Sequence, residues 1–241
     1  MAQYVYGKNV VMQMMKRPQQ ILELLIQEGT DLKPYQSLLK ETNYPVRKVS
    51  RQELDRLSAN GVHQGIMIKM KEFTTYSLEE ILDAVPAGKM PLLVMLDGLE
   101  DPHNLGAILR TCDCVGADGV IIGKHRSIGL TPTVAKVSTG AIDTVKVAQV
   151  PNLTQTLKEL KEKGFWVCGA DCHEAIDYRK PDYNVPLVLV IGSEGFGISR
   201  LVQKECDYCV IVPMAGEVSS LNASVAAGVL LYQIYSQRFP A

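Results

Sequence analysis

From Pro91 onward the chain reads as near-continuous apolar runs separated by helical stretches. The runs fall at 92–96, 120–122, 145–147, 166–168, 187–191 and 208–212, and the helical stretches include 105–115, 153–163 and 221–237. Runs that do not alternate apolar with polar positions fit strands buried on both faces. Interleaved with helices, they predict an α/β fold with a mostly parallel sheet covered by helices. Residues 1–71 have a shorter rhythm: a helix after Gly7, an apolar run at 21–26, a helical stretch at 32–40, an extended one at 45–49, a helix at 51–57 and a closing strand at 65–70. This predicts a small α/β domain. Its turn Asn60-Gly-Val-His-Gln-Gly65 should be exposed, and His63 reads as a turn residue, since no carboxylate or nucleophile adjoins it. Residues 72–90 read as a linker in which Ser77 caps a short helix with Glu80 at the capping-box position. The expected organisation is therefore 1–71, a linker at 72–90, and a larger domain at 91–241.

Composition adds little to this picture, and charge adds more. With 46% hydrophobic residues over 241 positions the chain can bury a proper core. The first residues, Met-Ala-Gln-Tyr-Val-Tyr-Gly-Lys, lack the apolar centre of a signal peptide, and no apolar run approaches membrane-spanning length. A soluble cytoplasmic protein with no membrane partner is expected. Residues 1–71 hold 11 Lys and Arg against 6 Asp and Glu, a net +5, whereas the remainder holds 14 against 20, a net −6. A basic module joined to an acidic one points to a polyanion as partner of the first.

Six cysteines raise metal and disulfide readings. Cys112 and Cys114 fall two apart in a helix, on nearly opposite faces. Cys206-Asp-Tyr-Cys209 has the spacing of half a zinc site, but it leads into a strand and has no second pair to complete it. Cys168 and Cys172-His173 stand apart. Reduced thiols and no metal are expected.

Ligands of parallel sheets gather at the carboxyl ends of the strands, and three loops there carry candidate chemistry. In the first, Asn104 is placed to cap a helix on which Leu105, Ile108, Leu109 and Cys112 share a face and Arg110 projects nearly opposite. Gly106, Ala107 and Cys114 flank that arginine, which suits a docking surface for a partner chain or a phosphate. The second, Gly192-Ser-Glu-Gly-Phe-Gly197, has glycines that permit a tight turn. Its order is G-x-x-G-x-G, not the dinucleotide G-x-G-x-x-G, which disfavours a nicotinamide-dependent oxidoreductase. Glu194 at the strand end can orient a ligand or cap the next turn. The third runs from Ile211 to Gly228. After Pro213-Met-Ala-Gly, a helix opens at Ser219 or Ser220, with Ser220, Asn222 and Ser224 at its mouth. Its body of Ala223, Ala226, Ala227 and Gly228 would admit another backbone closely.

Together and in this order, Asn104-x-Gly106-x-x-x-Arg110, Gly192-x-Glu194-Gly195-x-Gly197, and Val212-Pro213-Met214 followed by Ser219-Ser220-Leu221-Asn222-x-Ser224 resemble the SpoU/TrmH family. These are SPOUT-class RNA ribose 2′-O-methyltransferases that use S-adenosylmethionine. The resemblance runs from about residue 92 to the C-terminus; Val212 departs from it where isoleucine is common. Residues 1–71, with Tyr6-Gly7 and His63-Gln64-Gly65, look like the substrate-binding domain of the branch that methylates a guanosine in 23S ribosomal RNA.

The resemblance implies a trefoil knot, which general rules of chain connectivity would argue against, and an obligate homodimer with active sites at the subunit interface. It implies that Gly192, Val212, Met214 and Leu221 hold the cofactor. The catalytic set would be Arg110, Asn104, Glu194, Ser220 and Asn222, the last four holding the arginine and the loops in place. Lys124-His125-Arg126 would be an RNA-contacting loop or simply an exposed charged turn. The alternatives are a transfer-RNA methylase of the same family and a non-catalytic RNA-binding protein.

Overall fold

The apolar runs of the second half pair side by side. In the computed structural model, which describes residues 3–15, 21–31, 33–39, 44–172, 175–217 and 220–240, the chain divides into two units, 1–73 and 74–241.

The larger unit is built on seven strands: β5 (Leu92–Asp97), β6 (Gly119–Gly123), β7 (Val147–Val150), β8 (Trp166–Ala170), β9 (Ile176–Asp177), β10 (Leu187–Gly192) and β11 (Tyr208–Ile211). Their order is β7-β6-β5-β10-β8-β11-β9, and every neighbouring pair is parallel. Residues 92–96 of β5 and 187–191 of β10 are buried throughout, which is why their sequences do not alternate. The helices are α4 (Leu78–Asp83), α5 (Pro102–Val115), α6 (Pro132–Val137), α7 (Ala141–Thr144), α8 (Leu153–Glu162), α9 (Arg200–Gln203) and α10 (Ala223–Arg238). One core joins Leu93, Met95, Ile121, Val188 and Val190 of the sheet to Ile81 of α4, Leu157 and Leu160 of α8, and Val202 of α9. The stretch 72–90, expected as a linker, thus carries a helix seated in this core. Ser77 and Glu80 form the capping box at its start.

Some boundaries differ from the sequence reading. The run at 145–147 begins its strand only at Val147, because Val145 still closes the last turn of α7 through its N–H to Ala141 O at 2.9 Å. Helices α6, α7 and α9, of six, four and four residues, are too short to show a helical period.

The smaller unit contains β1 (Gln3–Tyr6), α1 (Lys8–Met14), β2 (Ile21–Gln27), α2 (Gln36–Leu39), β3 (Val46–Val49), α3 (Arg51–Leu57) and β4 (Ile66–Met70). Its sheet order is β1-β4-β2-β3, antiparallel except for β2 with β3. Of the helical stretch expected at 32–40, residues 33–35 form a 3-10 turn ahead of α2, while Leu32 and Lys40 lie outside the described residues.

In the turn before β4, Ala59, Asn60 and Gln64 adopt positive φ. His63 is buried at its centre: its Nδ1 accepts from Gly65 N–H at 3.0 Å, so Nε2 carries the proton and faces Asp55 Oδ1 at 2.9 Å. The residue does belong to the turn. The expectation that no carboxylate adjoins it was wrong, because α3 returns Asp55 to the turn from eight positions upstream.

Candidate functional site

Because all seven strands run the same way, the loops after β5, β6, β8, β10 and β11 open on one edge of the sheet. The loop after β5 ends at Asp101, whose carboxylate accepts from His103 N–H at 2.8 Å and caps α5 ahead of Pro102. Asn104 is therefore not the cap. It sits in the first turn of α5, 5% exposed, with its amide free to reach other loops.

Across the sheet, β10 ends at Gly192. A Cβ there would meet Gly197 C at 2.1 Å and Ile198 N at 2.3 Å, so only glycine lets the following loop fold back. That loop is locked by Ser193 N–H to Gly197 O at 3.1 Å and Gly197 N–H to Ser193 O at 2.9 Å, with Gly197 at φ 63°. The lock lifts Glu194 and Phe196 into solvent, Phe196 being 96% exposed. Asp97 at the end of β5 fastens the far side by accepting from Ser199 N–H at 2.7 Å.

The third loop delivers Asn222 as N-cap of α10. Its Oδ1 accepts from Ser224 N–H at 3.0 Å, Val225 N–H at 3.3 Å and Ser224 Oγ at 2.6 Å. Of the serines expected to open this helix, Ser220 lies two residues upstream of the cap and is exposed, and Ser219 lies outside the described residues. The Asn222 amide donates to Asn104 Oδ1 at 3.0 Å and to Glu194 Oε1, while Asn104 Nδ2 donates to the same Glu194 oxygen at 2.9 Å. Three residues from three distant loops thus form one closed network. The amide nitrogens of Asn104 and Asn222 both donate to the one Glu194 carboxylate oxygen.

Arg110 is not part of that network. It is exposed, about 1.7 helical turns along α5 from Asn104, and no side-chain hydrogen bond or ion pair joins it to another of the described residues. Within one chain, Asn104, Glu194 and Asn222 hold one another and the three loops that carry them, and Arg110 stands apart. Gly106 also has a role inside the chain: a Cβ there would lie 2.6 Å from Val137 Cβ, so its small size seats α6. In α10, Ala223 and Ala227 are buried, whereas a Cβ at Gly228 would meet nothing within 4 Å.

Beside the network lies a small, open cleft of about 40 Å³ lined by Ala170, Asp171, Val210, Ile211, Val212, Met214, Leu221, Ala226 and Leu230. Of the four residues expected to hold a cofactor, Val212, Met214 and Leu221 line it; Gly192 instead shapes the glycine loop. Ala170, which ends β8, and Asp171, which follows it, were missed by the sequence reading. The carboxyl-end rule that selected the other loops would have selected this one too. Lys124, His125 and Arg126, after β6, are exposed, with Arg126 at φ 53°.

Cysteine geometry overturns one expectation. Cys172 and Cys209 form a disulfide with Cα atoms 5.8 Å apart. Cys206, short of the strand, turns its sulfur to the same side as Cys209, toward Gly169. Cys112 is buried and Cys114 exposed, as their helical spacing requires, and burial pushes the Cys112 thiol up to about 12. No cluster of potential metal ligands, and no helix long and apolar enough to cross a membrane, occurs among the described residues.

Residues 91–232 match the SpoU rRNA Methylase family, and residues 4–76 match a domain described as RNA 2′-O ribose methyltransferase substrate binding. The chain belongs to the SpoU methylase family. It is 45% identical over 241 residues to YacO of Bacillus subtilis (strain 168), assigned to the TrmH family of tRNA/rRNA methyltransferases, covering 98% of this chain and 96% of that one. The SpoU methyltransferase AviRb of Streptomyces viridochromogenes, solved in complex with the cofactor AdoMet, superposes with a TM-score of 0.69 at 26% identity, covering 98% of this chain and 90% of AviRb. A TrmH-family protein of Porphyromonas gingivalis gives 0.63 at 27% identity, covering 97% and 89%. The protein is therefore an RNA methyltransferase of the SpoU/TrmH family, and the Asn104–Glu194–Asn222 network lies within the residues matched by the methylase domain.

Proposed function

We propose that this SpoU methylase transfers a methyl group from S-adenosylmethionine to a ribose 2′-hydroxyl, that of a guanosine in 23S ribosomal RNA, and that it does so in the cytoplasm. The observation that carries the reading is the closed network of Asn104, Glu194 and Asn222 beside the cleft at the carboxyl edge of the sheet. The lining of the cleft fits the adenosine part of the cofactor: it is mostly apolar, suited to a flat ring. Val212, Met214 and Leu221 would hold the adenosine part, Gly192 would shape the loop beside it, and Ala170 and Asp171 would form the opposite wall. The bound cofactor supplies an electrophilic methyl group.

The chain's own residues then have distinct tasks. The network fixes three loops in one geometry before RNA arrives, and positioning of this kind lowers a barrier by up to about 7–11 kcal/mol. Arg110 is a permanently charged donor with no partner among the described residues. It binds an RNA phosphate and stabilises the alkoxide that develops as the hydroxyl loses its proton, which passes to phosphate or water. Phe196 offers a solvent-facing ring on which a base can stack, and Lys124 to Arg126 and the basic smaller unit extend the phosphate contacts. The same reading includes the homodimer and the trefoil knot that the family resemblance implies. The exposed apolar side of α10 supports the first.

Arg110→Ala tests the assignment. Methyl transfer to RNA should fall about 10²–10³-fold while the affinity for S-adenosylhomocysteine, measured by calorimetry, stays unchanged; loss of cofactor affinity would overturn the role given to Arg110. Mapping 2′-O-methyl groups in cells with and without the gene tests the substrate. A methyl lost from tRNA with rRNA unchanged would move it to tRNA, and no transfer to any RNA would leave a binding protein.

A further inference from the structure

Strands β8 and β11 lie in parallel register with Cys209 opposite Gly169. Past the end of β8 the chain turns sharply. Asp171 takes a left-handed φ of 56° and donates its N–H to Val210 O at 2.8 Å. The turn carries Cys172 back over Gly169, where it is bonded to Cys209. A Cβ at Gly169 would stand 2.8 Å from the Cys172 sulfur and 3.1 Å from that of Cys209, so the glycine makes the space the disulfide occupies. The bond joins the residue after Asp171 to the residue before Val210, and those two neighbours, hydrogen-bonded to each other, both line the cofactor cleft. Cys172 also lines the adjoining cleft with Phe196, Gly197 and Gln203, and both bonded cysteines are partly exposed.

We propose that Cys172–Cys209 is a reversible redox tie on the cofactor cleft: formed, it holds the Asp171 turn against β11, and reduced, it releases that turn and weakens cofactor binding. The proposal rests on the cofactor reading given above. Left-handed backbone is disfavoured for a residue with a Cβ, so the Asp171 turn needs external support. One hydrogen bond and the disulfide supply it. Without the disulfide, binding must order the turn as well as the cofactor.

The chemistry balances with a dithiol as reductant. One of its thiolates attacks a sulfur of the tie and displaces the other cysteine as a thiolate, which takes a proton. The second thiol of the reductant then releases the remaining cysteine. Two electrons and two protons reach the protein, and the reductant leaves as its own disulfide. A low-molecular-weight disulfide such as oxidised glutathione reverses the step. Cys206, whose sulfur would stand 2.9 Å from the same Gly169 Cβ, does not take part. Burial pushes its thiol up to about 12, and a protonated thiol is not a nucleophile.

The test uses the full chain, treated with oxidised glutathione or with dithiothreitol. Thiol titration in denaturant fixes the state: four free thiols with the tie formed and all six cysteines free when it is reduced. Calorimetry with S-adenosylhomocysteine should show affinity on the order of fivefold weaker after reduction, restored on reoxidation. Cys172→Ser and Cys209→Ser should both match the reduced protein and ignore dithiothreitol, while Cys206→Ser keeps the full response. Equal affinity in the two states, or a response that survives Cys172→Ser, would overturn the tie. So would six free thiols carrying stoichiometric zinc. Absence of S-adenosylhomocysteine binding in both states would instead overturn the cofactor reading, and the tie with it.

Discussion

Asn222 serves two structures with one side chain. Its carbonyl oxygen caps α10, while its amide nitrogen donates to Asn104 and Glu194. Asn222→Asp separates these tasks, because the carboxylate can still cap the helix but now faces the Glu194 carboxylate without a proton to donate. Two carboxylates at hydrogen-bond distance raise each other's pKa. Groups whose folded-state pKa is raised lose stability as pH rises through that value and regain it as pH falls. The variant should therefore melt below wild type at pH 8, with the gap closing toward about pH 5 as the pair takes up one proton. Thermal unfolding at the two pH values checks this, and a gap independent of pH would show that Asn222 does not face Glu194. At the tip of the same loop, Phe196→Ala should weaken RNA binding by about 1–3 kcal/mol, the worth of one stacked base, and leave S-adenosylhomocysteine affinity unchanged in a filter-binding and calorimetry pair.

At the scale of elements, the β10 strand and its glycine loop show what sequence pattern can and cannot carry. The strands at 92–96 and 187–191 were legible because burial on both faces forces continuous apolar runs, and the loops carrying Asn104, Glu194 and Asn222 followed from strand direction. The tertiary partners were not legible. Nothing local in Gly106 says that Val137 lies against it, and nothing in Cys172 says that a left-handed turn will fold it onto a strand reached 37 residues later. Nor did the helix-cap preference of serine reveal that Asn222 would take the cap and leave Ser220 exposed; that choice depends on loops 118 and 28 residues away. Gly192 sits between these cases, a glycine visible in sequence whose necessity is tertiary. Because its Cβ would strike backbone and not a movable side chain, Gly192→Ala should open the Ser193–Gly197 lock. Overpacking of this kind costs about 1–3 kcal/mol. The expected result is a lowered melting temperature together with weakened S-adenosylhomocysteine binding; a lowered melting temperature with full affinity would mean the loop does not shape the cofactor site.

For the whole molecule, α10 sets the question of assembly. Val225, Tyr232, Tyr235 and Phe239 are 49, 53, 39 and 57% exposed, and their spacing of seven, three and four places them along one side of the helix with Gly228 between. The aromatic rings touch, Tyr235 lying 5.0 Å from Phe239 and 6.1 Å from Tyr232. Such a stripe, each of whose large side chains gains about 1.5–3 kcal/mol on full burial, suits a surface covered by a second copy of the chain. The opposite side of the helix, with Ala227, Leu230, Leu231 and Ile234, is already in the core. A charge on the stripe should thus separate subunits without unfolding them. Light scattering should give twice 26.5 kDa for the wild type and the monomer mass for Tyr232→Glu, with the melting transition retained. If the active site lies at the subunit interface, where Arg110, unpartnered among the described residues, would find its surroundings, the monomer should also lose methyl transfer. A fully active monomer would show that one chain suffices and that the stripe serves another purpose.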